Sequence, residues 1–287
     1  MSSKANRPGE SLLAVDRGQQ LSRPLPAPLR AIALRYSDWN WSWRADIALR
    51  YVPVEAALQD AGFLRGTVGD TTTGLSASRV PRILDVGCGS KGGVTSYLPV
   101  QTIGVDLAFN IGRIRRHTEV TPIVGNGLAL PLRDGSFDVV LCMDTLEHLS
   151  ATERIGLTTE LFRVAADDSL LIVGAPAGAG TRAAEQSVND LFRERTGEDH
   201  PWLAEHLAAE PLETETLREL MASAASRRFK EFDLKLVPNT TLALWQSLQQ
   251  EGRLRHVHRL LYQPLWTLFR DRHDPPVYRQ VCVVNGR

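Results

Sequence analysis

The sequence is poor in cysteine, poor in lysine and without net charge. Its three cysteines, Cys88, Cys142 and Cys282, are widely spaced and odd in number, so neither a disulfide framework nor a CxxC zinc site can be drawn, and reduced thiols are expected. Lys4, Lys91, Lys230 and Lys235 are the only lysines. The remaining basic charge is arginine, a compositional habit that decides nothing about function. The 33 basic and 33 acidic side chains cancel, which removes the global field that draws a chain onto nucleic acid or acidic lipid. No nucleic-acid partner is expected. No apolar run approaches the ~20 residues of a spanning helix, and the start, MSSKANRPGESLLAVDRGQQ, lacks the apolar stretch of a secretory signal. A cytoplasmic protein is expected. With 43% hydrophobic residues, the chain can bury a sizeable core.

Residues 1–35 are rich in Pro, Ser, Gly and charge and include RPLPAPLR, which cannot hold a helix or central strand; a disordered tail is expected. Residues 36–79 read as an N-terminal helical cover and a loop. Apolar groups at helical spacing over 39–62, interrupted near Pro53, predict one or two helices, and GTVGDTTTGLSAS predicts the loop. From residue 80 to 287 apolar runs alternate with helical ones. Strands are expected at 82–86, 102–106, 122–125, 137–143, 169–173, 229–237 and 277–284, and helices at 182–196 and 213–225. This alternation predicts an α/β fold with a parallel sheet covered by helices on both faces.

The most informative stretch is RILDVGCGSKGGVTSYL, an apolar strand running into Gly87, Gly89 and Gly92. Such glycines let the backbone turn tightly and approach a ligand. Taken alone, the G-x-G-x-x-G pattern fits a dinucleotide fold equally well. Asp85 shifts the balance, because a carboxylate there would repel a pyrophosphate yet suits an ammonium with a sulfonium nearby. Asp106 ends the next strand, IGVD, where a carboxylate can accept both hydroxyls of a ribose. Asn126, in VGNGLALP, sits at a strand end where it can meet an adenine edge.

ILDVGCGS, GVDL, NGLALPLRDGSFDVV and LEHL, in this order and spacing, resemble the class I S-adenosylmethionine-dependent methyltransferases, especially those acting on small molecules and lipids. The resemblance is strong over 80–175 and implies S-adenosylmethionine as cofactor and an α/β, Rossmann-like fold: a mostly parallel seven-stranded sheet with an antiparallel last strand and helices on both faces. It places Asp85 and the backbone of Gly87, Cys88 and Gly89 at the methionine moiety, Asp106 at the ribose, and Asn126, Gly127 and Leu128 around adenine, with Gly92 and Leu107 also among the cofactor-binding residues. Two positions depart from the usual pattern. Lys91 stands where the family often has a third glycine, and Asn126 where it usually has aspartate.

A sulfonium methyl is already activated, so the protein's task is alignment and exclusion of water, with a base needed if the nucleophile arrives protonated. Asp144, Glu147 and His148 fall at i, i+3 and i+4, on one face of a helix expected after the fourth strand. His148 is the candidate base, with Asp144 beside it. Asp144-Thr145-Leu146-Glu147 also reads as a capping box. The other histidines, His206 in HPWLAEHL among them, show no metal-ligand spacing and read as scattered surface residues, and no metal is expected. The segment HPWLAEHL, with Trp202, is a candidate cap over the acceptor pocket.

Residues 242–272 form an expected helical insertion between the last two strands, with Trp245, Trp266 and Phe269 among Arg253, Arg255, Arg259, Arg270 and Arg272. Such a segment can meet a membrane interface or a lipid-linked acceptor, or simply pack as helices on the sheet. The expected function is methyl transfer from S-adenosylmethionine to a small-molecule or lipid- or glycan-linked acceptor at oxygen, in the cytoplasm or peripherally at the inner membrane face. The alternatives are an NAD-dependent oxidoreductase and a non-catalytic methyltransferase-like scaffold.

Overall fold

A computed structural model describes residues 45–65, 74–75, 80–98, 100–110, 119–249 and 273–287. Seven strands form one sheet: β1 (Ile83–Val86), β2 (Thr102–Asp106), β3 (Val120–Val124), β4 (Phe137–Met143), β5 (Ala165–Pro176), β6 (Phe232–Thr241) and β7 (Val277–Gly286). Their spatial order is β3-β2-β1-β4-β5-β7-β6. The first five are parallel, as the alternation of apolar runs predicts, and β7 runs antiparallel to both neighbours, as the family resemblance implies. Described helices are α1 (Ala45–Asp60), α2 (Ala151–Val164), α3 (Thr181–Thr196), α4 (Pro201–Ala208), α5 (Thr214–Arg228) and α6 (Leu242–Gln249).

The apolar run FDVVLCM is buried throughout β4, as a strand covered on both faces requires. Its side chains alternate between two cores. Val140 and Cys142 face α2 and α5 with Leu157, Leu161 and Met221. Val139 and Leu141 face α1 with Val54, Leu58, Val94 and Leu98. Fully burying a leucine such as Leu58 or Leu161 contributes about 1.5–3 kcal/mol. The edge strand β3 carries Pro122, paired with Gly104 on its one neighbouring strand, where a missing N–H is tolerated.

Three expectations change. Pro53 does not interrupt its helix: α1 runs through it. The Leu49 carbonyl, which a residue-53 N–H would have satisfied, accepts instead from the buried amide of Asn239 at 2.8 Å. No helix starts at Asp144; residues Leu146–His148 form a single 3-10 turn. The capping box lies further on, with Ser150 as N-cap and Glu153 as its reciprocal partner, so the Asp144–Glu147 box does not form. In the segment 242–272 only α6 is described, and its Trp245 is buried, stacked on Tyr278 at 3.9 Å between ring centroids. That part is core. Leu64–Arg65 and Gly74–Leu75 form a small antiparallel pair within the stretch read as cover and loop. The tail 1–35 and the arginines of 253–272 lie outside the described residues.

Candidate active site

The chain leaves β1 through Gly87 (φ +75°) and Gly89 (φ +64°). A Cβ at Gly87 would stand 2.1 Å from Thr145 Oγ1, so glycine here answers first to packing against the end of β4. A Cβ at Gly89 would meet nothing within 4 Å, so the loop opens to space there. Gly92 (φ +87°) ends the first 3-10 turn, Gly89–Lys91, and opens the second, Gly93–Ser96. The turn thus accommodates Lys91 because Gly92 takes the left-handed conformation. Lys91 in turn holds its ammonium 5.4 Å from the ring of Trp202 on α4. The Cys88 thiol packs towards Gly104, whose Cβ would lie 2.6 Å from Sγ; burial pushes that thiol far above its ordinary range.

Asp85 lies beneath this loop, 1% exposed, and its Oδ2 accepts the Val94 N–H at 2.8 Å. Glycine at 93 is required, since a Cβ would fall 2.1 Å from the same oxygen. Burial raises Asp85 to about 7, against the Val94 N–H that favours its charged form; a cation held on the loop would restore the carboxylate. Asp106 closes the loop from β2: its Oδ2 accepts the Gly89 N–H at 2.9 Å and its Oδ1 the Ala108 N–H at 3.4 Å. Beside it Leu107 is 59% exposed. At the end of β3, Asn126 Oδ1 accepts the Leu128 N–H at 2.9 Å, so the amide oxygen assigned to adenine already serves a turn. A Cβ at Gly127 would press on Leu157 at 2.9 Å. An open glycine face, a carboxylate with lone pairs to spare for a diol and an exposed apolar side chain fit S-adenosylmethionine.

The end of β4 divides into two polar groups. Asp144, at φ +54°, takes the Arg279 guanidinium on both oxygens, at 2.5 and 2.6 Å, and Arg50 Nε at 2.9 Å. Burial would raise it, but the two guanidiniums outweigh burial and hold it below the usual carboxylate range. Arg279 also donates to Asn239 Oδ1 at 2.9 Å. Asp144 is therefore a buried ion-pair partner and shares no helix face with His148.

The second group is different. Glu147 is buried, and its Oε2 has no hydrogen-bond partner among the described residues. Burial and the nearby Asp144 charge push it well above the usual range. His148 Nδ1 lies 3.2 Å from Glu205 Oε2, and its Nε2 lies 3.4 Å from His206 Nε2. His206 Nδ1 lies 2.9 Å from Glu185 Oε1, which also accepts the Tyr278 hydroxyl at 2.9 Å. Burial and His206 lower His148. Burial also disfavours charge on His206, yet Glu185 and Glu147 carry it above its ordinary value. A cavity of about 150 Å³ adjoins, lined by Glu147, Thr181, Arg182, Glu185, His206 and Leu212 among others.

His206 is thus no scattered surface histidine: its side chain is 10% exposed. Sequence reasoning missed it, with Glu185 and Glu205. A signal was present in the repeated Glu-His dipeptide, LEHL at 146–149 and AEHL at 204–207. The two dipeptides face one another, each glutamate set towards the other's histidine. The fold brings Asp85, Gly87, Cys88, Gly89, Gly92, Asp106 and Leu107 to the ends of β1 and β2, and Asn126, Gly127 and Leu128 to the end of β3. His148 is linked to the loop through Thr145, whose carbonyl accepts the His148 N–H at 3.2 Å and whose side chain packs on Gly87.

Residues 84–173 match the family model described as "Methyltransferase domain". Among curated proteins, ajmaline N-methyltransferase of Rauvolfia serpentina is 30% identical over 117 residues, 37% of this chain and 40% of that protein. Probable tRNA methyltransferase 9B of Mus musculus is 30% identical over 92 residues, 32% of this chain and 21% of that protein. The chain thus spans 40% or less of the length of these two curated relatives. Among solved structures, the plantazolicin methyltransferase BpumL in complex with SAH has a TM-score of 0.51 at 15% identity, covering 91% of each chain, a likeness of fold. The dinucleotide reading of the glycine loop gives way to the family match. The chain carries a class I S-adenosylmethionine-dependent methyltransferase domain.

Proposed function

We propose that this protein transfers a methyl group from S-adenosylmethionine to an oxygen of a small-molecule acceptor. The observation that carries the choice of oxygen is the pair His148 and His206, each imidazole backed by its own carboxylate, beside the glycine loop. A hydroxyl must lose its proton to become a methyl ether, and a carboxylate-backed imidazole pair is a sink for that proton. When bound, S-adenosylmethionine supplies a methyl on a sulfonium, a centre that needs no further activation. Asp106 would hold the ribose hydroxyls, the Gly87–Gly89 backbone the methionine part, and Asp85 the balancing charge beneath.

The chain's own work is then to exclude water, orient the acceptor and receive its proton. Helix α4 suits the first task, because it carries Glu205 and His206 while Trp202 meets Lys91 of the loop. A lipid- or glycan-linked acceptor with peripheral membrane contact was expected from the arginines and aromatics of 242–272. Trp245, in the described part of that segment, is core, and no described helix is long and apolar enough to cross a membrane. An amine acceptor is the second reading, favoured by the ajmaline relative's name.

Release of S-adenosylhomocysteine from the purified protein, measured over a panel of phenols, alcohols and amines, tests this. Turnover of a hydroxyl acceptor should fall roughly 100-fold or more in His148→Ala while S-adenosylhomocysteine binding persists. Turnover confined to amines and indifferent to His148 would overturn the oxygen assignment. Cofactor binding without product across the panel would point to a scaffold.

A further inference from the structure

The geometry points to a binding site for a divalent transition-metal cation formed by Glu147, His148 and His206. It rests on the reading of this end of the sheet as the acceptor side and deepens it. One possible ligand atom from each of the three residues lies within 4.8 Å of the others. The two imidazoles present the same atom to each other: His148 Nε2 and His206 Nε2 stand 3.4 Å apart. Two nitrogens bound at ~2.0–2.1 Å to one tetrahedral ion lie about 3.3 Å apart, so the histidines already hold the spacing of a shared ligand. Glu147 Oε1 is 4.0 Å from His206 Nε2. With all three atoms within 4.8 Å of one another, closing by about 1.5 Å at most completes a three-residue set.

The surroundings make this more than proximity. Each Nδ1 is committed to a carboxylate, His148 to Glu205 and His206 to Glu185. In the tautomer that lets both Nδ1–H groups donate, both Nε2 lone pairs face the gap between the rings, an arrangement that calls for a cation. A carboxylate behind each metal-bound imidazole is the usual outer-shell device, fixing the tautomer and strengthening the ligand. Glu147 adds a buried carboxylate whose second oxygen has no partner among the described residues, a desolvation cost that coordination would remove. Nearby guanidiniums are engaged elsewhere, Arg279 with Asp144 and Arg154 with the Leu146 carbonyl at 3.0 Å.

Two imidazoles and one carboxylate suit Zn²⁺, Co²⁺, Mn²⁺ or Fe²⁺ better than Ca²⁺. Three protein ligands leave positions for solvent or for an acceptor oxygen, towards the cavity lined by Glu147 and His206. With an ion in place His148 would be a ligand, and a hydroxyl bound at an open position would be made acidic by coordination and give its proton to solvent, the imidazole pair receiving it only in the metal-free chain.

The test uses the full chain, stripped with chelator and titrated with CoCl₂ by visible absorption and with ZnCl₂ by calorimetry. One equivalent per chain is expected, with d–d bands of a low-coordinate Co²⁺ site. His148→Gln and Glu147→Gln should abolish that equivalent, and Glu185→Gln should weaken it roughly 10–100-fold. His273→Gln should leave it unchanged. His148 is partly exposed, so its variant keeps the test informative if Glu147→Gln folds poorly. Absence of binding at millimolar metal, or one-equivalent binding that survives His148→Gln, overturns the site. Binding of S-adenosylhomocysteine, measured on the same samples, reports the cofactor reading separately.

Discussion

Asp144 and Glu147 stand three residues apart after the same strand, both largely buried, and the fold treats them in opposite ways. Asp144 has a guanidinium on each oxygen, from α1 and from β7, and is held ionised. Glu147 has an oxygen with no partner among the described residues, and burial beside the Asp144 charge drives it towards the neutral form. The first side chain joins four elements through Arg50, Arg279 and Asn239. The second leaves polar capacity unused inside the protein, which natural folds tolerate mainly where a ligand will use it. Chemical type does not separate the two carboxylates; the partners supplied by distant strands and helices do.

The comparison is broken most severely by removing Arg279. Arg279→Met keeps much of the volume, leaves Asp144 with Arg50 alone and leaves Asn239 Oδ1 with only the Thr240 hydroxyl, at 3.2 Å, among its described donors. A loss of about 3–5 kcal/mol is expected from urea midpoints; a loss below about 1 kcal/mol would show that the ion pair is incidental. The pH dependence has a definite sign. The folded-state value of Asp144 is lowered, so its contribution is present above the unfolded value, near ~3.9, and disappears as pH falls below that. The acid limb of the stability profile should be steeper in the unaltered protein than in Asp144→Asn.

Much of this was legible in the sequence because it is written in local period and local glycine chemistry. Continuous apolar runs such as FDVVLCM announced buried parallel strands, and the loop after ILDV announced a backbone that must turn sharply. The capping box slipped by six residues because Asp144 and Ser150 both open a pattern with a glutamate three places on. What decides between them is Arg279, 135 residues away from Asp144. Pro53 read as a break because the donor that replaces its missing N–H, Asn239, is 186 residues downstream. His206 was hidden for the same reason: 58 residues separate it from His148, and no short spacing marks the pair. Long-range partners, rather than residue types, were the missing information.

A smaller effect sharpens the same point on the structural side. Asn239 donates to the Leu49 carbonyl and accepts from Arg279, so Asn239→Leu should cost about 1–3 kcal/mol by leaving buried groups unpaired. Pro53→Ala restores an N–H for the Leu49 carbonyl. In that background the cost of Asn239→Leu should shrink by about 1 kcal/mol, the weight of a typical hydrogen bond. Additive effects in the double-mutant cycle would mean that Asn239 acts through its oxygen, on Arg279 and Thr240, and not through the Leu49 carbonyl.

The smallest effect on stability belongs to the other group and is the sharpest contrast. His148 is 35% exposed on its side chain, and its Glu205 partner is 55% exposed, so their interaction is screened and contributes little to folding. In metal-free protein His148→Gln should therefore change the urea midpoint by no more than about 0.5 kcal/mol, against several for Arg279→Met. Near-neutral stability together with lost turnover of a hydroxyl acceptor would separate a residue kept for chemistry from one kept for the fold. If His148→Gln instead destabilised the metal-free chain as much as Arg279→Met, the histidine pair would be a second structural knot, and the contrast between Asp144 and Glu147 would lose its functional meaning.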